Sequence, residues 1–261
     1  MNFARVLRRL YWILSEQLGI DLRKAWRSLR GLPRYLRGLQ QFRATYGDRL
    51  SLTPCLHDWH AEGGATSNEY FWQDLVVARM VFAARPRKHV DIGSRIDGFV
   101  AHIASFREVE VFDVRPVTST IPGIVFRQAD LMRPVDGLVE YCDSLSCLHA
   151  LEHFGLGRYG DPIDPDGYRA GLTNMARILA MGGTLYLAVP VGVPRVEFNA
   201  NRVFDPADII ALGQTLGLQL QDFQLHTETQ VMQRIEGTPL NFSAIAKAPY
   251  GLGLFVLVKR N

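Results

Sequence analysis

Cysteine is scarce in this 261-residue chain: Cys55, Cys142 and Cys147 are odd in number and show no C-x-x-C spacing. A disulfide framework and a paired-cysteine zinc site are thereby excluded as organising elements, leaving buried thiols. Long apolar runs are missing as well. The longest, Leu10 to Leu14 and Leu252 to Val258, fall far short of the ~20 residues that span a bilayer. The basic amino terminus has its apolar residues broken by arginines and lacks a small-residue cleavage site, so no secretory signal is expected and the cytoplasm is the default. Internal repeats and low-complexity tracts are also wanting. What remains, with 48% hydrophobic residues, is a globular domain with an appendage. A last shortage is local: residues 1–50 hold 3 Asp+Glu against 11 Lys+Arg, a net of +8, whereas residues 51–261 hold 23 against 18, a net of −5.

Within the basic stretch, Phe3, Val6, Leu7, Leu10, Ile13 and Leu14 recur at helical spacing, with Arg5, Arg8 and Arg9 off that stripe. Asp21 is placed to cap a second helix whose apolar face is Leu22, Ala25, Trp26 and Leu29, and Gly31-Leu32-Pro33 reads as its stop. A third helix is predicted from Pro33 towards Tyr46. Residues 1–50 are thus expected to form a basic amphipathic helical arm, ahead of a main domain at 51–261. Three placements stay open for the arm: on an anionic membrane surface or on a partner protein, in both cases through residues 1–46, or on the acidic surface of the main domain.

From residue 88 onward, short apolar runs alternate with helical stretches. Strands are predicted at 88–92, 109–112, 124–127, 143–147, 184–189, 218–225 and 254–259. Alternating strands and helices imply a mostly parallel sheet with covered faces. The connections 114–123 and 128–142 leave little room for helical crossovers. A helix is predicted over 166–180, ending at Gly182-Gly183, and another starts at Asp205, a capping residue followed by Pro206 in the first turn.

The stretch "HVDIGSRIDGF" at 89–99 reads as a strand, a glycine turn and a helix start. A phosphate loop needs Lys where Phe99 stands. A dinucleotide fingerprint needs glycine where Arg95 stands, because backbone must approach the pyrophosphate closely there. A cofactor that joins an amino acid to a nucleoside without phosphate has less need of three glycines, and S-adenosylmethionine is such a cofactor. Asp113, closing "VEVFD" 20 residues after Gly93, is placed to accept hydrogen bonds from two ribose hydroxyls. Asp130, closing "VFRQAD", is placed to take the adenine amino group. The alternative role of such acids is to cap turns and helices.

The blocks "YFWQDLVVARMVF", "HVDIGSRIDGFVAHI", "DSLSCLHALEHFGLGRYGD" and "FNANRVFDP", within residues 70–205, resemble a bacterial domain-of-unknown-function family related to class I S-adenosylmethionine-dependent methyltransferases and found with surface-polysaccharide genes. The resemblance implies a Rossmann-like class I methyltransferase α/β fold: seven strands, mostly parallel, the last antiparallel, with cofactor over the carboxyl ends of the first strands. Arg95 and Asp97 stand where most such enzymes carry further glycines, and Arg95 is placed to hold the cofactor's carboxylate. The candidates for cofactor contact are Asp91, Gly93, Ser94, Arg95, Asp113, Asp130 and Cys147.

Ligands of open parallel sheets collect at the carboxyl edge, which places His149, Glu152 and His153, at the exit of the fourth strand, as catalytic candidates. Asp143 begins that strand and is set aside. His149 to His153 also spell an inverted metalloprotease signature, but a strand-to-loop exit is not its context. The acidic cluster Asp161, Asp164 and Asp166 lacks calcium-loop spacing. No metal is expected. A histidine titrating near neutrality suits a general base, and either His149 or His153 fits. Asn199, Asn201 and Arg202 offer donors and acceptors for sugar hydroxyls or a phosphate, or else cap the loop. The expected activity is S-adenosylmethionine-dependent O-methylation of a sugar, with surface-glycan context taken from the resemblance. The expected partner is a glycan or sugar-nucleotide acceptor and no nucleic acid, and the expected place is the cytoplasm or the inner face of the membrane. Two rivals stand beside it: a non-catalytic scaffold that recruits a glycan-assembly partner, and an enzyme that uses a nucleotide sugar in the same cleft.

Overall fold

The computed structural model describes residues 3–64, 66–235 and 242–260. The chain forms two compact units, Met1–Ala65 and Thr66–Asn261.

In the first unit, α1 (Phe3–Trp12) runs into a π-helical turn at Ile13–Gln17, and α2 follows at Leu22–Thr45. The Asp21 carboxylate caps α2 by accepting the Arg23 and Lys24 amides at 2.9 and 3.0 Å, and it accepts the Tyr11 hydroxyl at 2.6 Å. The break expected at Gly31-Leu32-Pro33 is absent, and the predicted second and third helices are one. Pro33 forfeits a single amide bond, while the leucines, arginines and glutamines around it are good helix formers. Gly31 has a different use: a Cβ there would run into the Leu56 carbonyl, so the glycine permits close passage of the 50s loop. None of the described residues of this unit is buried, and Cys55 is exposed, against the expectation of a buried thiol that Cys142 and Cys147 meet. The side chains of Phe3, on the predicted stripe, and of Arg5 and Arg8, off it, lie outside the described residues. Among the described residues no helix is long and apolar enough to cross a membrane.

The second unit opens with α3 (Glu69–Ala84), capped by Asn68, whose side chain accepts the Tyr70 amide at 2.9 Å. The strands are β1 (His89–Ile92), β2 (Val109–Asp113), β3 (Ile124–Gln128), β4 (Cys142–Leu148), β5 (Leu179–Val191), β6 (Arg195–Glu197), β7 (Asn201–Val203), β8 (Leu218–Thr227), β9 (Gln230–Arg234) and β10 (Gly251–Lys259). Between them lie α4 (Ala101–Ala104), α5 (Gly167–Ile178) and α6 (Pro206–Thr215). The main sheet has the order β3-β2-β1-β4-β5-β10-β8-β9. Strands β1 to β5 pair in parallel, and β10 runs antiparallel to both neighbours. This is the class I methyltransferase sheet, with β9 added as an eighth strand at one edge.

All seven predicted strands are present, and no helix occupies 114–123 or 129–141. Helix α5 stops at Ile178, short of the predicted Ala180, because the chain enters β5 at Leu179; Gly182-Gly183 then lies inside that 13-residue strand, at an irregularity in its pairing with β4. The hairpin β6–β7 was too short to be read from sequence. Period-2 alternation sorts the core onto two faces of the sheet. Leu145, Leu187 and Phe255 pack with Leu172 and Met175 of α5, whereas Val109, Val111 and Ala188 pack with Val77 and Val81 of α3 and Phe99 beside α4. The chain order reverses between β1 and β4, and a crevice opens at the carboxyl ends of the strands around that point.

Candidate functional site

The carboxyl end of β1 is closed by Asp91, which has no solvent exposure. Its carboxylate accepts the Ser94 amide at 3.0 Å, the Ser94 hydroxyl at 2.7 Å and the Ser146 hydroxyl, from β4, at 2.5 Å. The Ser94 hydroxyl oxygen in turn accepts the Leu148 amide at 3.1 Å. Gly93 makes the turn with φ +71°, where a Cβ would press on Ala150. Burial raises the Asp91 carboxyl to about 7, against the three hydrogen bonds that favour its charge. Behind it, His89 lies between the Ser144 and Ser146 hydroxyls at 2.8 and 3.2 Å, and burial holds it down to about 3.

Above this knot lies a cleft of about 490 Å³, lined by Gly93–Asp97, Phe112–Val117, Ala129–Met132 and the residues that follow β4. Arg95 stands at its rim in a bidentate pair with Asp97, at 3.0 and 2.6 Å, and its guanidinium lies over the Tyr70 ring. Asp113 reaches the cleft from the end of β2, but both of its oxygens are engaged by Arg115: the guanidinium donates at 3.0 and 2.6 Å and the Arg115 amide at 2.8 Å. Arg115 also lies over the Tyr159 ring. Asp130 lines the cleft as well, accepting the Met132 amide at 2.9 Å.

On the β4 side, His149 is buried and adopts φ +52°, a left-handed conformation that costs a non-glycine residue about 1–3 kcal/mol. Its amide donates to the Ala188 carbonyl at 2.9 Å, which holds it there. The imidazole stacks on Tyr70, with Nδ1 2.9 Å from Glu152 Oε1 and Nε2 3.4 Å from Glu69 Oε1. Burial opposes its charge, yet the Glu152 hydrogen bond and the charges of Glu152, Glu69 and Asp74 raise it above its ordinary value. Burial likewise opposes the Glu152 charge, and His149 outweighs it and lowers the carboxyl. His149 thus lies between two carboxylates, hydrogen-bonded to Glu152 and 3.4 Å from Glu69, an arrangement that favours its charged form. His153 differs. Its Nδ1 donates to the Ala200 carbonyl at 2.7 Å, and burial depresses it despite Glu152, whose Oε1 lies 3.6 Å from Nε2. It is a neutral imidazole with the lone pair on Nε2.

Of the predicted site residues, Gly93, Ser94, Arg95, Asp113, Asp130, His149 and His153 line the cleft. The others stand apart from it. Asp91 lies beneath, as the anchor of the loop. Cys147 points into the α5 side of the core, as the alternation of β4 requires. Arg202 is buried, and its guanidinium nitrogens donate to the carbonyls of Glu152, Phe154, Asp164 and Pro165, clamping the loop after β4 instead of facing a ligand. Asn199 supplies the left-handed residue of the β6–β7 turn at φ +63°, a conformation asparagine tolerates. Asn201 donates to the Arg202 carbonyl at 3.2 Å. The segment acts through its backbone, since the Ala200 carbonyl fixes both His153 and Arg158. The acid at Asp161 is likewise a loop anchor, accepting the amides of Gly155, Gly157 and Tyr159.

Sequence reasoning missed Glu69, Tyr70, Arg115 and Tyr159, and Tyr250, whose hydroxyl donates to Glu69 at 2.8 Å. A signal for the first two was present. Glu69, Tyr70, Gln73 and Asp74 share one face of an otherwise apolar helix, and polar residues on a buried face need a purpose. Arg115 follows Asp113 by two residues, within reach of its carboxylate.

Two measurements check this description. Raised acids and a raised histidine contribute stability that is complete below their unfolded values and lost as pH climbs through their folded ones. Asp91 and His149 act in that sense. The lowered His89 and His153 act oppositely, but only below about 6.5, where the unfolded imidazole titrates. Urea denaturation should therefore show stability falling from about pH 6.5 to pH 8, and Asp91→Asn should flatten the fall; an unaltered slope contradicts the assignment. Separately, His149→Gln leaves the buried Glu152 carboxylate without its hydrogen-bonded histidine and should cost about 3–5 kcal/mol, of which Glu152→Gln in the same chain restores part. Equal stability of His149→Gln and His153→Gln would count against that pairing.

The family described as "Caenorhabditis protein of unknown function, DUF268" matches residues 125–231, from β3 into β9, and that description carries neither the bacterial assignment nor the polysaccharide link implied by the resemblance. No curated protein matches the chain in sequence. Solved structures do match in shape. The 1,6-didemethyltoxoflavin-N1-methyltransferase of Burkholderia thailandensis, with bound 1,6-didemethyltoxoflavin and S-adenosylhomocysteine, is 14% identical at TM-score 0.53, over 75% of this chain and 80% of its own. The [4+2]-cyclase SpnF is 14% identical at TM-score 0.52, over 71% and 81% respectively. The YcgJ protein of Bacillus subtilis is 12% identical at TM-score 0.51, over 72% and 98%. At such identities the likeness establishes the fold: residues 66–261 have the class I methyltransferase architecture.

Proposed function

We propose that the second unit is an S-adenosylmethionine-dependent O-methyltransferase whose acceptor is a sugar hydroxyl of a surface glycan or its precursor. The observation that carries this reading is the cleft's donor set. A glycine turn, an apolar slot between Phe112 and Leu131, and the carboxylates of Asp113 and Asp130 together suit a nucleoside joined to an amino acid, without a phosphate. The backbone at Gly93 and Ser94 and the Arg95 guanidinium would hold the methionine end, Asp113 the ribose and Asp130 the adenine. Arg95 is available because its pair with Asp97 is exposed, and exposed pairs are worth ~0–1 kcal/mol. S-adenosylhomocysteine in the Burkholderia thailandensis neighbour supports placing that cofactor on this fold. For the acceptor, Tyr70 and Tyr159 line the same cleft beside Arg158 and His153 and set apolar surface next to polar groups, the mixture a sugar presents.

When bound, the cofactor supplies a methyl group on a sulfonium, open to in-line displacement by an oxygen. The protein's part is alignment, worth up to about 7–11 kcal/mol, and removal of the hydroxyl proton, worth ~10²–10⁴-fold. His153 takes that proton on Nε2. Its Nδ1 bond to Ala200 fixes the tautomer and the nearby Glu152 carboxylate favours the cation that forms. His149, hydrogen-bonded to Glu152 and stacked on Tyr70, positions both.

The Asp113–Arg115 pair favours a second reading, because it occupies the carboxylate that ribose needs; a non-catalytic scaffold would leave it closed. Arg115 and Arg158 at the mouth would equally meet a nucleotide sugar's diphosphate. Calorimetry separates the three. S-adenosylhomocysteine should bind the wild-type chain, Asp113→Ala should weaken it by about 1.5–3 kcal/mol, and Arg115→Ala should strengthen it. His153→Gln should lower turnover and leave cofactor affinity intact. Binding seen only in Arg115→Ala selects the scaffold, and heat from a nucleotide sugar alone selects the third reading.

A further inference from the structure

The first unit carries a surface that the site does not use. Between Leu22 and Thr45, α2 contains seven Lys+Arg and no Asp or Glu. At 3.6 residues per turn, Leu22, Ala25, Trp26, Leu29, Leu32 and Leu36 fall on one side of the helix. Arg23, Lys24, Arg27, Arg30 and Arg34 fall on the other, Arg37 lies at the border beside Trp26, and Arg43, in the last turn, falls on the apolar side. The apolar side is open: Leu22 is 57% exposed, Trp26 57%, Leu29 69% and Leu36 53%. The preceding segment adds Leu7, Leu10, Trp12 and Ile13, each between 44% and 51% exposed. A helix of 24 residues is about 36 Å long, and none of its described residues is buried.

We propose that this unit is an interfacial anchor that lays α2 flat on a bilayer rich in anionic phospholipid, leucines and Trp26 in the acyl boundary and guanidinium groups among the headgroup phosphates. Charge decides the occupant. Arginine is a planar, bidentate phosphate ligand and keeps its charge in a poorly hydrated setting. A run of seven cations with no acid favours a negatively charged surface. An apolar stripe on an otherwise strongly charged helix is the pattern of a segment lying in the interface plane, not across it. A second copy of α2 would set like charges against each other across the same contact. The lipid surface satisfies both faces at once: apolar area leaves water and the cations meet phosphate.

Flotation of the full-length chain tests the proposal, using vesicles of phosphatidylglycerol and phosphatidylcholine in equal parts and, beside them, vesicles of phosphatidylcholine alone. Three of the four tryptophans, Trp12, Trp26 and Trp59, lie in this unit and report insertion by a blue shift in emission. Binding is expected on the mixed vesicles only, weakening as salt rises. Each basic residue near such a surface contributes about fivefold in partitioning, so Lys24→Glu, Arg27→Glu and Arg37→Glu together should reduce it by at least about 100-fold. Leu29→Ser with Leu36→Ser should abolish the blue shift while circular dichroism keeps the helical signal. Equal binding to both vesicles, or none to either, overturns the proposal. So does a dimer in sedimentation that the leucine variant dissociates, because the stripe would then be covered by a second copy.

Discussion

A carboxyl group without solvent holds the carboxyl edge of the sheet in shape. Asp91 gathers the Ser94 amide, the Ser94 hydroxyl and the Ser146 hydroxyl, and Ser94 passes the constraint to the Leu148 amide. The loop on one side of the crevice and the strand end on the other are thus tied to one group. Gly93 turns where it does because the loop is pulled down onto Asp91. His149, the residue after Leu148, leaves the strand in a left-handed conformation from the same fixed point. Both walls of the cleft are tied to the buried polar contacts around Asp91, which in a low-dielectric interior rigidify the groups they join. Arg115 lies in that cleft and engages both oxygens of Asp113.

Much of the architecture was legible because the central strands, buried on both faces, read as apolar runs, while β3 and β8, less buried, still carry short ones; seven runs order the sheet's main strands. Turn chemistry served less well where tertiary packing prevailed. Gly31-Leu32-Pro33 has the composition of a helix stop, yet Gly31 answers to the Leu56 backbone, a neighbour 25 positions on, which no local pattern reveals. In the site, Gly93, Asp113, Asp130 and the histidines could be placed because each sits at a strand end. Which histidine is drawn towards its charged form could not, because that depends on Glu152 bonding His149 more closely than His153 and on Glu69 arriving from α3. Position near a strand end assigns Cys147 to the cofactor, whereas its parity with Leu145 in β4 assigns it to the core. Arg202 reads as a donor open to ligands because a single sequence cannot show four carbonyls converging on one guanidinium.

The fold by itself leaves the reaction open, since one scaffold hosts many chemistries, and a [4+2]-cyclase stands among the structural neighbours beside a methyltransferase. The reading therefore rests on local chemistry: a neutral His153 with a fixed tautomer, and two acids at successive strand ends. The charge asymmetry of the chain fits a division of labour. The net −5 of residues 51–261 accompanies a cleft with acids in its walls, and the net +8 of residues 1–50 accompanies a helix whose cations have few acids of their own to meet.

The most direct test of the preformed cleft is a crystal structure of the chain with S-adenosylhomocysteine. Three results are predicted together: the adenosyl group in the cleft with its ribose on Asp113, the 93–97 loop and His149 in the positions described, and Arg115 displaced from its carboxylate. A ligand bound elsewhere, a 93–97 loop rebuilt around it, or an Asp113–Arg115 pair intact with the cofactor in place would contradict the account.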